Sequence, residues 1–322
     1  QILVSLQQAK VDGLSGTVTQ KANLGIPELP GASGSRSSDF NSLISGSHTL
    51  KVWSAGPDKS RVALLGTLGE SDLIMNGTDV WTWSSDDNEA THRTIDPAAR
   101  QRAKDSAESQ APTDLPQTPQ EAADRFLSAV GPTTEVATDS DVEVAGRAAY
   151  ELVLRPKDDR SLINEVRIAV DGEKSVPLRV RVFGSSSEPV AEVGFTKIDF
   201  TVPDDGQFAF NPPPGAKVTE VKPEADEAGE SAAEKKAREQ GDEEPKIVGK
   251  GWTAVAVSKA GTGSPDASGE IGALLEQLPR EKGAWGSGRV LSGTAFSVVL
   301  TDDGRVAVGA VEPELLYAAL EG

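Results

Sequence analysis

From Ser47 to Ile95 apolar and polar residues alternate in short runs, each closed by glycine, asparagine or aspartate. Side chains alternate between the two faces of an extended backbone, so this period of two predicts β-strands. In SHTLKVWSA, Leu50 and Val52 fall on one face and Lys51 and Trp53 on the other; SRVALLG, SDLIMNG, DVWTWSS and EATHRTI continue the series. Strands so closely spaced, with turn residues between them, predict an antiparallel sheet built from hairpins. An earlier strand is expected in LSGTVTQKANL. Later ones are expected in AAYELVLRP, NEVRIAVDG, VPLRVRVFG and PVAEVGFTKIDFTV, where Leu178, Val180 and Val182 oppose Arg179 and Arg181.

Helical spacing is rarer. QILVSLQQAK carries Ile2, Leu3 and Leu6 on one helical stripe, and a further helical turn is expected near 97–109. TPQEAADRFLSAV has Thr118 as N-cap, Pro119 at the first helical position and Glu121 closing a capping box. Two or three helices are too few to cover the apolar face of a sheet of about ten strands. A strongly curved sheet wrapped around them leaves a cavity lined by Leu50, Val52, Val62, Leu64, Leu73, Met75, Leu178, Val180 and Val182. Trp81 and Trp83, two apart on one strand, are placed beside Leu73 and Met75 on that concave face. The alternative is a filled core with no room for a ligand.

The loop from Gly25 to Gly46 breaks every periodic pattern yet holds Ile26, Leu29, Phe40, Leu43 and Ile44. These side chains could gate the cavity; packing on the outside of the sheet is the other reading. Residues 223–246 carry nine acidic against four basic residues and no large apolar side chain. Such a stretch cannot bury enough surface to order itself and is expected to be a mobile linker. It separates a first domain, 1–222, from a small α+β domain, 247–322. The latter has the strand IVGKGWTAVAVSK, a helix SGEIGALLEQL, strands around an Asp303-Gly304 turn and the final helix PELLYAALEG.

Composition narrows the function. The net charge is −18, from 50 acidic and 32 basic residues, which disfavours nucleic acid and anionic membrane surfaces as partners. Cysteine is absent, which removes disulfides, thiolate metal sites and a cysteine nucleophile. His48 and His92 lie on expected strands without metal-ligand spacing and read as packing or surface residues. No phosphate-binding Gly-rich loop and no nucleophile elbow occurs. These features point away from an enzyme, with no cofactor and no metal expected. The chain opens inside an amphipathic pattern with no initiator Met. That reads as loss of an upstream signal or anchor segment, and hence an extracytoplasmic protein; a boundary chosen for other reasons is the alternative.

The order of motifs carries a resemblance. LQQAKVDGLSGTVTQ resembles the opening helix and first strand of LolA-type lipoprotein carriers. The strands from Ser47 to Arg93 are similar to that family's apolar strand, Asn/Asp-Gly turn, aromatic pair and polar strand. FAFNPPPGAKV resembles its closing element. The end of the chain, FSVVLTDDGRVAVGAVEPELLYAAL, is similar to RseB/MucB-type periplasmic regulators. The resemblance implies a half-barrel that holds a lipid or acylated protein, and a partner in the extracytoplasmic part of a membrane anti-sigma factor. The competing implication is a lipid or lipoprotein carrier working with a membrane transporter. The carriers' lid arginine has only Lys51 and Arg61 as candidates.

Overall fold

The structure is a computed structural model that describes residues 11–25, 40, 43, 46–67, 69–95, 117–128, 131–221, 245–259 and 278–321. The chain builds two sheets. The strands of the first are β1 (Gly13–Ala22), β2 (Gly46–Ala55), β3 (Lys59–Leu65), β4 (Glu70–Asn76), β5 (Asp79–Ser84) and β6 (Glu89–Thr94), then, after helix α1 (Pro119–Ser128), β7 (Thr134–Val144), β8 (Arg147–Pro156), β9 (Glu165–Asp171), β10 (Pro177–Phe183), β11 (Pro189–Asp199) and β12 (Lys217–Val221). Their spatial order is β12-β6-β5-β4-β3-β2-β1-β11-β10-β9-β8-β7. Two runs of hairpins are thus joined where β1 pairs with β11.

The expected strands are present to within a residue or two at most ends, because alternation and turn residues are local properties. Three features depart from the expectation. The sheet is not antiparallel throughout: β12 pairs with β6 in parallel, which its long connection through the rest of the domain permits. Strand β7 lies in TEVATDSDVEV, whose acidic residues and register shift between Asp139 and Asp141 hide the alternation. In β12 every residue is exposed, so no apolar face announces it.

Helix α1 starts as its sequence predicts. The backbone N–H of Glu121 donates to Thr118 Oγ1 at 3.2 Å, and Glu121 Oε2 accepts from the Gln117 backbone N–H at 2.8 Å. Its Ala122, Ala123 and Leu127 are buried against the sheet, where the helix packs on β10 and β11. The helices expected at 1–10 and near 97–109 lie outside the described residues. So does the helix expected over 268–278, save Leu278, and so does the acidic stretch 223–246, save Pro245 and Lys246.

The second sheet orders β13 (Lys246–Val248), β14 (Val255–Lys259), β15 (Arg280–Gly283), β16 (Gly286–Ser292), β17 (Ser297–Thr301) and β18 (Arg305–Gly309) as β13-β14-β18-β17-β16-β15. The stretch expected as one strand from Ile247 is broken at Gly249 and Gly251, both at positive φ (89° and 60°). Helix α2 (Pro313–Glu321) covers this sheet with Leu316, Ala319 and Leu320. Tyr317 stacks on Trp285 with ring centroids 5.0 Å apart.

The two sheets are in contact. Trp252 donates its indole N–H to Thr134 Oγ1 at 2.8 Å and stacks on Phe126 of α1. Thr294 donates its backbone N–H to Leu24 O and its hydroxyl to Asn23 O, each at 2.9 Å. The Leu162 N–H donates to Ala310 O at 2.8 Å, and Ala295 is buried in the first sheet's core.

Candidate functional site

Pairing across the strands decides which predicted residues share a face. Leu50 lies opposite Leu64, Val52 opposite Val62, and Val62 opposite Leu73. Across the other half, Val180 faces Val193 and Ile168, while Val182 faces Ala191 and Val166. Val18 on β1 pairs with both Leu50 and Phe195 and joins the halves. Leu50, Val52, Val62, Leu64, Leu73, Met75, Leu178, Val180 and Val182 therefore lie on one inner face, the face that α1 covers.

Most of that face is filled. Leu50, Leu64 and Leu178 are fully buried. Leu43 of the expected gating loop is buried beside them, and its carbonyl accepts from Gln20 Nε2 at 3.2 Å. Phe40 packs partly buried on the same cluster, while Ile26, Leu29 and Ile44 lie outside the described residues. Towards β4 the inner face opens, and Leu73 is 36% exposed. An apolar strip thus begins in a dense core and ends at solvent.

Trp81 and Trp83 are not on it. Asn76 pairs with Asp79 around the central residues Gly77 and Thr78, with Gly77 at φ 66°. A two-residue loop pairs odd-numbered with even-numbered positions, so Trp81 lies opposite Ile74 and Trp83 opposite Asp72, while Leu73 and Met75 point the other way. On this outer face the chain after β11 returns over β3 and β4 through a short 3-10 turn, Asp205–Phe208. Phe208 is buried, and Phe210 sits 5.3 Å from Trp81 and 5.9 Å from Trp83 between ring centroids. The tryptophan pair serves a second, outer core. The two candidates for a lid arginine are on this side too: Lys51 is opposite Ala63, and Arg61 is opposite Trp53. Arg61 lies 5.5 Å from the Trp53 ring and donates Nε to the buried Asp72 at 2.7 Å.

His92, read from sequence as a packing or surface residue, has a more specific place. It stacks on Trp81 at 4.2 Å, with Nδ1 2.8 Å from Glu220 Oε2 and Nε2 2.9 Å from Asp79 Oδ1. Desolvation lowers its pKa, but the hydrogen bonds to the two carboxylates outweigh it and the net shift is upward. The ring thus links Glu220 of β12 to Asp79 of the β5–β6 hairpin.

The outward face of β8–β10 carries a charge network that alternation alone could not assemble. Glu151, 3% exposed, accepts from Arg181 Nη2 at 2.6 Å, Arg167 Nη1 at 3.2 Å and Arg179 Nη2 at 3.3 Å. Glu165 accepts from Arg167 Nε at 2.6 Å and from Arg155 Nη2 at 2.9 Å. Burial alone would raise the Glu165 pKa, yet these guanidiniums hold it below the usual carboxylate value. Among the described residues no group of three or more His, Asp or Glu could hold a metal ion, and no helix is long and apolar enough to cross a membrane.

No protein-family model matches the sequence, and no curated protein matches it. Solved structures resemble it. A chain in the complex of Pseudomonas aeruginosa MucA and MucB is 14% identical with a TM-score of 0.49, over 99% of this chain and 95% of that one. A LolA superfamily protein from Nitrosomonas europaea is 13% identical with a TM-score of 0.24, over 65% of this chain and 96% of that one. An uncharacterised conserved protein from Thermus thermophilus is 12% identical with a TM-score of 0.38, over 68% of this chain and 97% of that one. The chain is therefore similar to MucB-type and LolA-superfamily structures.

Proposed function

We propose that this chain is an extracytoplasmic, non-catalytic binding protein. It holds a lipid or acyl chain against the inner face of a curved half-barrel and acts as an RseB/MucB-like regulator of a membrane anti-sigma factor. The observation that carries the reading is the apolar strip that runs from the buried Leu50–Leu64 pair to the 36%-exposed Leu73. An acyl chain entering at Leu73 gains about 0.8 kcal/mol for each methylene it buries, so a few methylenes give measurable affinity. Leu43 and Phe40, packed on the same core, support a loop that closes over the inner face and yields to an incoming chain. The proposed division is a binding domain over 1–222, a linker over 223–246 and a small domain over 247–322. That second domain favours a regulator over a simple carrier, since a carrier needs only the first.

The test is titration with a fluorescent fatty acid, run beside native mass spectrometry of the freshly purified protein. Wild type should saturate and show co-purified lipid. Leu73→Asp, at a position already partly exposed, should keep the fold and weaken binding at least tenfold. Equal binding by Leu73→Asp, or no binding by wild type, rejects the inner face as the ligand site. A pull-down with the extracytoplasmic part of a membrane anti-sigma factor, with and without lipid, tests the regulatory half of the reading.

A further inference from the structure

On the outward side of β8–β10, away from the inner apolar face, a cleft of about 720 Å³ is lined by Arg155, Arg167 and Arg181, by Glu165 among them, and by Phe183 and the loop 184–187. Three adjacent strands each present one guanidinium to it. Arg167 lies directly opposite Arg181, and Arg155 is bonded to Glu165, which in turn is opposite Phe183. Like charges directly opposed on neighbouring strands repel. Here the buried Glu151 holds both, accepting from Arg181 and Arg167.

That arrangement leaves donors unused. A guanidinium has five N–H groups. Arg155 gives Nε and Nη2 to Glu165, Arg167 gives Nε to Glu165 and Nη1 to Glu151 and Asp139, and Arg181 gives only Nη2, to Glu151. Among the described residues Nη1 of Arg155, Nη2 of Arg167 and Nη1 of Arg181 make no hydrogen bond, and the buried Nε of Arg181 has no partner. Glu135 lies opposite Arg155 and Glu192 opposite Arg181 on the same face. With Glu151, Glu165 and Asp139 these carboxylates offset the four guanidiniums, Arg179 included. It is the unused N–H groups of the cleft, not an excess of positive charge, that single it out. The ring of Phe183 lies 5.4 Å from the Arg181 guanidinium and 5.9 Å from that of Arg167, which helps to fix both in place before any ligand arrives.

We propose that this cleft binds a phosphate-type oxyanion, carried by a free phosphate compound or by a lipid headgroup. Guanidinium forks match phosphate and carboxylate oxygens alike. Three of them converging from three strands suit a tetrahedral anion, whose several oxygens can engage all three, better than a carboxylate with two. Glu165 is the internal competitor: it occupies N–H groups of Arg155 and Arg167 that an anion would otherwise use.

Two titrations of the full chain test this. Inorganic phosphate is followed by chemical shift, and vesicles of phosphatidylcholine with or without phosphatidylglycerol are followed by co-sedimentation. Wild type should respond saturably to at least one anionic probe, and Arg155→Gln should weaken that response at least fivefold. Glu165→Gln should strengthen it severalfold, an outcome that a purely structural network does not produce. Arg155→Lys, which keeps the charge and loses the fork, should fall between. Arg160→Gln, whose arginine pairs with Asp158 and does not line the cleft, should match wild type. Response to inorganic phosphate supports a free ligand; Arg155-dependent retention on phosphatidylglycerol vesicles without it supports a headgroup. No saturable response to either probe, or equal responses from Arg155→Gln, Glu165→Gln and wild type, overturns the proposal.

Discussion

Replacing Glu151 by glutamine removes one charge and almost no volume, so its effect isolates the electrostatics of the outer network. The Glu151 side chain is 3% exposed and the three arginines it serves are 23–25% exposed. Removing one partner of a fully buried ion pair costs about 3–5 kcal/mol. Water still reaches part of each guanidinium, which lowers the expectation to about 3 kcal/mol. The loss should exceed that of an ordinary surface pair because Arg167 and Arg181 are direct cross-strand neighbours. Without the carboxylate no buried charge accepts from both of them, although Glu165 and Asp139 still pair with Arg167, and the glutamine amide adds a donor among donors. For a domain of about 200 residues this corresponds to a fall in Tm of about 6–12 °C. Calorimetry of wild type and Glu151→Gln at low and high salt measures it; the difference should persist in salt because the group is buried. Adding Arg181→Met, which removes the donor at 2.6 Å, should recover part of the loss. A fall of less than about 2 °C, or a double variant no more stable than the single one, would refute the assignment of Glu151 as the charge that holds these strands together.

Four further outcomes are expected. The upward pKa shift of His92 means that its stabilising contribution is fully present below its unfolded pKa and is lost as pH rises through the folded one. The gap in Tm between wild type and His92→Gln should therefore be wider at pH 6 than at pH 8.5, with faster amide exchange in 217–221 at the higher pH. Phe208→Ala should destabilise by about 3–5 kcal/mol, as for other fully buried aromatics; Trp81→Ala with Trp83→Ala should lower stability while leaving fatty-acid affinity within twofold, and a large loss of affinity would return the pair to the ligand site. Trp252→Ala removes the hydrogen bond to Thr134 and the stack on Phe126. It should increase exchange of both partners and enlarge the radius of gyration by small-angle scattering, without unfolding either sheet.

Much of the first sheet is legible because a strand's two faces and its turns are written in adjacent residues. Strands β2 to β6 and β8 to β11 follow from alternation, and the cap of α1 follows from Thr118 and Glu121. Strand β7 escapes because acidic residues and a register shift break its period, and β12 because a fully exposed edge strand leaves no apolar mark. The inner-face residues from Leu50 to Leu73 and from Leu178 to Val182 could be grouped in advance, since each set needs only its own alternation and the register of its hairpins.

What lies over a face is another matter. Local alternation suffices to put Trp81 and Trp83 on one side of β5. That this side is an outer core follows from the return of Phe208 and Phe210 over β3 and β4, more than a hundred residues later in the chain. Likewise Arg179 and Arg181 are marked as facing away from the apolar side, but only the folded sheet brings Glu151 beneath them, 28 and 30 residues away. Alternation is a property of neighbours, whereas burial and charge pairing depend on segments brought together by the sheet order, which no local period encodes.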